Sequence, residues 1–161
     1  MIYKARCSSL KELMTGRARK DGSIDFGDTV KSMVKRQVVN ELFGYGSPKE
    51  NQYTKKGLLL EDDAIKAVGL LTGTLPVKNT ERRNNPWIQG ECDVLTAEAI
   101  RDIKCSWSRD THPWFIEDAE SKAKEYGYDW QMQGYMWLWD KSVAYIDFIL
   151  LPTPYECLKP W

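Results

Sequence analysis

Asp93 in GECDVL and the triplet Asp102–Ile103–Lys104 in IRDIKCSW place two carboxylates and an ammonium group in one short stretch. Paired hard oxygen donors are what Mg²⁺ or Mn²⁺ prefers, and a lysine beside them can stabilise developing negative charge. That combination suits metal-dependent phosphodiester hydrolysis. The stretch reads as a hairpin: IQGECDVL, a loop TAEA, then IRDIKCS. Alternation puts Gln89, Glu91, Asp93 and Leu95 on one face of the first strand, and Ile88, Gly90, Cys92 and Val94 on the other. On the second strand Ile100, Asp102, Lys104 and Ser106 share a face opposite Ile103 and Cys105. A loop from Thr96 to Ala99 pairs Leu95 with Ile100, Asp93 with Asp102, and Glu91 with Lys104. Facing carboxylates repel unless a cation lies between them. For a bare D-x-K, an amphipathic hairpin with a solvated charged face is the competing reading.

Two further elements must position these groups. TKKGLLLEDDAIKAVGLL predicts a helix with Glu61 near its first turn and apolar Leu58, Ile65 and Val68 at helical spacing. Glu61, Asp62 and Asp63 there also suit the helix dipole, which is reason enough for any one of them. SKAKEYGYDWQMQGYMWLW predicts a helix in which Gln131 and Tyr135, one turn apart, share a face. Trp130, Trp137, Leu138 and Trp139 read as its core residues. A glutamine buried among them needs a polar partner.

The order of these motifs resembles the PD-(D/E)XK nucleases, in the branch of lambda exonuclease and the viral recombinases. The resemblance runs from about Tyr3 to Pro154. It includes the serine-led opening YKARCSSLKELMTGR, KKGLLLEDDAI (similar to K-G-x-x-x-E-x-x-A-I), G-x-x-D, D-I-K, QMQGYM and the late strand YIDFILLPTP. It implies an α/β, restriction-endonuclease-like core, with a central mixed β-sheet flanked by α-helices. In that scheme Asp93, Asp102 and the main-chain carbonyl of Ile103 hold Mg²⁺ or Mn²⁺, and Glu61 contacts it directly or through water. Lys104 orients the attacking water, and Gln131 with Tyr135 lines the site and touches the DNA backbone. Arg6 with Ser8 or Ser9 corresponds to the arginine and helix-leading serine that hold a DNA 5′-phosphate; a helix cap and a surface arginine are the alternative. Asp102 stands where many members of the branch carry glutamate.

The implied activity is 5′→3′ exonucleolytic hydrolysis of linear duplex DNA in phage-type recombination, with a single-strand annealing protein as partner and a homo-oligomer as one assembly. A structure-selective endonuclease on the same site, or a non-catalytic DNA-binding protein on the same scaffold, are the other readings. The full set Glu61, Asp93, Asp102, Lys104 and Gln131 argues against the last.

Composition sets the frame. The 161 residues suffice for a single domain with its own core. No segment is long and apolar enough for a membrane span, and the expected location is cytoplasmic. Lysine plus arginine equals aspartate plus glutamate, 23 each, so affinity for phosphates must come from local distribution. Basic residues cluster at Arg17–Lys20, Lys31–Arg36, Lys55-Lys56 and Arg82-Arg83; each reads as solvated surface or as part of a DNA groove. The cysteines Cys7, Cys92, Cys105 and Cys157 contain no C-x-x-C, and one early plus three late cysteines is not their spacing. No iron–sulfur cluster is expected. Cys92 and Cys105 fall on strand faces opposite the acids, as buried thiols, and His112 reads as a loop residue.

Three more elements complete the layout. Ser8 or Ser9 caps a short helix to about Met14. GDTVKSMVKRQVVNELFG gives a helix with an apolar stripe Val30, Met33, Val34, Val38 and Leu42, stopped at Gly44. VAYIDFILL is a strand ending at Pro152. The chain stops soon afterwards, as a minimal or shortened member of the family would.

Overall fold

The computed structural model describes residues 4–44 and 51–158; Tyr3 and the end of YECLKPW lie outside them. Among the described residues, five helices flank three short sheets, an α/β arrangement.

The central sheet is mixed. Its middle strand β7 (Ile100–Cys105) pairs antiparallel with β6 (Val94–Leu95) and parallel with β8 (Ala144–Ile149). The α5 helix (Tyr128–Trp139) covers one face, burying Ile100 with Met132, Tyr135 and Trp139. The α3 helix (Gln52–Thr72) covers the other, where Ala64 and Val68 meet Ile149, Ile103 and Cys105. Alternation along β7 therefore sends Asp102 and Lys104 toward α5 and Ile103 toward α3. Beside this layer, β5 (Ile88–Gly90) pairs parallel with β1 (Ala5–Arg6) and antiparallel with β4 (Arg83–Asn84). A separate hairpin joins β2 (Arg17–Ala18) to β3 (Ile24–Asp25).

The helices depart from the sequence expectation in instructive ways. The Asn51 side chain accepts the Thr54 N–H at 2.9 Å and starts α3 at Gln52, so Glu61 sits mid-helix, away from the first turn. The dipole reason for Glu61 falls away with that. The inner line of α3 runs through Lys56, Leu60, Ala64 and Val68, four residues apart, all buried except half-buried Leu60; Ile65 is buried beside it, while Leu58 is 63 % exposed. The expected last helix is two: α4 (Ile116–Tyr126) and α5 meet at buried Gly127, whose φ of 75° is left-handed. A Cβ at Gly127 would also strike the Lys11 side chain. Of the four expected core residues in α5, Trp139 is buried and Leu138 half-buried; Trp130 and Trp137 are exposed, and Trp137 stacks on Trp87.

The N-terminal helix α1 (Leu10–Leu13) ends at Met14 as expected, but Ser9 precedes it without a capping hydrogen bond. The α2 helix (Asp28–Phe43) stops at left-handed Gly44, and its stripe is buried only at Val30 and Met33. No helix among the described residues is long and apolar enough to cross a membrane.

Candidate active site

The predicted hairpin holds at its closed end and opens beside Asp93, Asp102 and Lys104. Leu95 pairs with Ile100 and Val94 with Arg101. Even-numbered residues of β7 bond to β8: Ile100 N–H reaches Val143 O, and Ser106 N–H reaches Ile149 O. Odd-numbered residues therefore face β6, and the next rung would be Ile103 N–H to Cys92 O. That rung does not form. Asn79 Nδ2 donates to Cys92 O at 3.0 Å, and Asn79 N–H takes Asp93 O at 2.8 Å. The freed Ile103 N–H donates to Asp93 Oδ2 at 2.5 Å. Because N–H and C=O of a strand residue point to one edge, the Ile103 carbonyl faces the Asp93 edge too.

The expected cross-strand pair Glu91–Lys104 is not formed. Glu91 lies past the break and meets Arg82 at 3.4 Å. Gly90, at the start of G-x-x-D, allows the close approach of Tyr135: a Cβ there would stand 2.6 Å from the ring.

On the α5 face, Asp102 is buried and its Oδ1 accepts from Gln131 Nε2 at 3.1 Å. Gln131 Nε2 also donates to Tyr135 Oη at 2.8 Å, which turns the amide oxygen toward Lys104 Nζ, a long contact at 3.4 Å. Lys104 Nζ lies 2.5 Å from Asp102 Oδ2 and over the Tyr128 ring at 4.6 Å. Apart from the Lys104 ammonium, no other group reaches this buried oxygen among the described residues.

Electrostatics follow from that burial. Desolvation, then the Asp102 charge, pushes Asp93 up to about 7, against the pull of Ile103 N–H and Lys104. Burial likewise raises Asp102, while Lys104 draws it back. Burial opposes the Lys104 ammonium, yet the Asp102 carboxylate overrides it and holds the lysine above its ordinary value.

Glu61 projects from the middle of α3 and pairs with Lys78 at 2.9 Å; Lys78 also reaches Asp62 at 3.2 Å. Among the described residues no three histidine, cysteine or carboxylate side chains form a ready metal cluster. The donor set still fits a hard divalent cation: two carboxylates whose ionised form burial opposes, and a carbonyl turned to the same edge.

Arg6, Ser8 and Tyr135 come together around a small cavity of about 190 Å³, joined by Arg82, which the sequence offered only as part of a basic cluster. Ser9 does not line it. The cysteines do not share a face: Cys92 packs with Cys7, Ile100 and Tyr135, whereas Cys105 packs with Ala64 and Val68. His112 Nδ1 is 3.0 Å from Ser106 Oγ. Asn79 and Lys78 went unnoticed in the sequence because their partners lie on other elements.

The chain is 45% identical to a phage-related exonuclease from Haemophilus somnus, with a TM-score of 0.93 over all of this chain and 74% of that one. An alkaline exonuclease from Laribacter hongkongensis shares the fold at a TM-score of 0.64 and 20% identity, over 91% of this chain and 71% of that one. No family model and no curated protein matches the sequence.

Proposed function

This chain belongs to the phage-related exonucleases of the PD-(D/E)XK superfamily, and from that premise we propose that it is a divalent-metal-dependent deoxyribonuclease degrading linear duplex DNA 5′→3′. The observation that carries the reading is the opened rung. Asp93 is fixed by Ile103 N–H beside a buried Asp102–Lys104–Gln131 network. An ordinary solvated hairpin face has no need of such desolvated acids.

Asp93, Asp102 and the Ile103 carbonyl would hold Mg²⁺ or Mn²⁺, and Glu61 would contribute once parted from Lys78. A bound divalent cation supplies Lewis acidity at the scissile phosphate and a more acidic water. Lys104 orients the attacking water and stabilises charge on the phosphate oxygens; the Asp102 carboxylate favours its ammonium form, which suits that role over proton abstraction. Gln131 holds both Asp102 and Lys104 in place, and Tyr135 fixes the sense of the Gln131 amide. Arg6, Ser8 and Arg82 line a polar cavity with room for a phosphate group, which suits a 5′-phosphate once Arg82 turns from Glu91, its partner in the same cavity.

The test is digestion of end-labelled linear duplex beside covalently closed circles, with Mg²⁺, Mn²⁺ or EDTA and an Asp102→Ala control. Metal-dependent loss of the linear duplex alone is expected. Cut circles would make the protein an endonuclease, and intact DNA in every arm would sink the reading. Arg6→Ala should remove any preference for 5′-phosphorylated over 5′-hydroxyl ends; an unchanged preference would dismiss the pocket.

A further inference from the structure

A second cavity, of about 520 Å³, opens on the other side of Lys104. It lies within the roughly 300–1,000 Å³ range of small-molecule sites. Along β7 and α5 the order is this cavity at Lys104 and Tyr128, then Asp102 with Gln131, then the arginine cavity at Tyr135. The acids thus lie between two cavities of different chemistry.

The larger one is walled by rings from three parts of the fold. Tyr53 of α3 meets Trp107 edge to face at 5.0 Å, and Tyr126 stacks on Tyr128 at 5.7 Å across the α4–α5 junction. Its lining includes Lys104 and Lys122 and no carboxylate. Lys122 Nζ sits 5.9 Å over the Tyr126 ring and donates to the Thr111 carbonyl at the cavity wall. Tyr126 is 55 % exposed, so its ring is open to an incoming partner. A chain with zero net charge here concentrates ammonium groups beside aromatic faces. That pairing recognises nucleobases with their phosphates, because every base offers a π-face.

We propose that this cavity is a nucleoside subsite: a base from a single-stranded DNA end stacks on the Tyr126–Tyr128 wall, and the neighbouring phosphate meets Lys122. The proposal rests on the nuclease reading above and names where the strand beside the scissile phosphate goes. A base stacked on tyrosine has left its duplex partner, so the subsite takes a frayed or opened end.

The test is anisotropy of a labelled 5′-phosphorylated oligothymidylate with the protein in EDTA, where nothing is cleaved. Tyr126→Ala should weaken binding about tenfold, the loss of one base–aromatic stack. Tyr126→Phe should bind like wild type, because stacking needs the ring and not the hydroxyl. Tyr145→Ala, which alters a ring outside the cavity, should also match wild type. Moving one abasic site along the oligonucleotide should find a position that weakens wild type by the same factor and Tyr126→Ala no further. Equal affinity of Tyr126→Ala and wild type, abasic sites neutral at every position, or no binding by wild type would each overturn the subsite. The full pattern in a protein that cuts no DNA with Mg²⁺ would keep the subsite and discard the nuclease reading.

Discussion

Two lysines near the end of β7, one half-buried and one buried, are satisfied in opposite ways. Lys104 keeps 24 % of its side chain exposed, lies against the Asp102 carboxylate, and is held above its ordinary pKa. Lys56 is 1 % exposed and has no carboxylate within bonding distance among the described residues. Its Nζ donates to the carbonyls of Ser106 (2.7 Å), Trp107 (3.0 Å) and Leu151 (2.9 Å) and to Thr153 Oγ1 (2.9 Å). Burial pulls its pKa down, and those neutral acceptors favour the charged form. The first arrangement leaves a mobile charge with room for a substrate. The second commits its donors to three backbone carbonyls and a threonine hydroxyl, and ties α3 to the ends of β7 and β8. Burial of a lysine is therefore no sign of catalysis; an anion partner beside open space is the better one.

The sharpest break between the two is in activity. Lys104→Ala and Asp102→Ala should each lower cleavage at least about a hundredfold, with the fold intact by circular dichroism. Near wild-type turnover in either would remove the distinction. Lys56→Met should do the reverse, losing on the order of 3 kcal/mol of stability as carbonyls lose their donor, with cleavage by the folded fraction largely kept. Denaturant melts beside single-turnover rates separate these outcomes; a silent inactive Lys56→Met would make it a site residue.

A third test uses pH. Asp93 has a folded pKa of about 7 against an unfolded value near 3.8, so between these values the folded state holds the extra proton. In EDTA the stability this gives is full below pH of about 4 and lost as pH rises through about 7. Mg²⁺ should oppose that loss, so its stabilisation should grow from pH 5 to pH 8. Asp93→Asn should flatten both trends in thermal melts. A Mg²⁺ shift independent of pH would place the cation elsewhere. The smallest effect is expected for Tyr135→Phe, which deletes one hydrogen bond to Gln131, about 1 kcal/mol, and should slow turnover several-fold at unchanged KM.

The sequence showed what depends on neighbours and period. The Leu95–Ile100 register, the split of β7 between Asp102/Lys104 and Ile103, and the Gln131–Tyr135 face all follow from spacing of two or four. It misled where distant groups decide. Lys56 reads as half of a surface Lys-Lys pair, because the atoms that bury it come from residues 106, 107, 151 and 153. Glu61 looked like a helix-start acid because Asn51, the actual cap, lay outside the stretch taken for the helix. Asn79 carries no motif at all, although its amide parts Cys92 from Ile103. Gly127 was legible as a glycine but not as a break, since a left-handed φ leaves no trace in periodicity.

Asn79 also makes the centre a fault line in the sheet. Catalytic groups are commonly hung on finished secondary structure, whereas here the proposed metal ligand Asp93 fills the seam where two strands come unzipped. One more rung of pairing between Cys92 and Ile103 would mend the seam and evict Asp93 from its seat. Variants that lengthen β6 should thus be sturdier and inert, with rigidity and reactivity competing for a single amide proton.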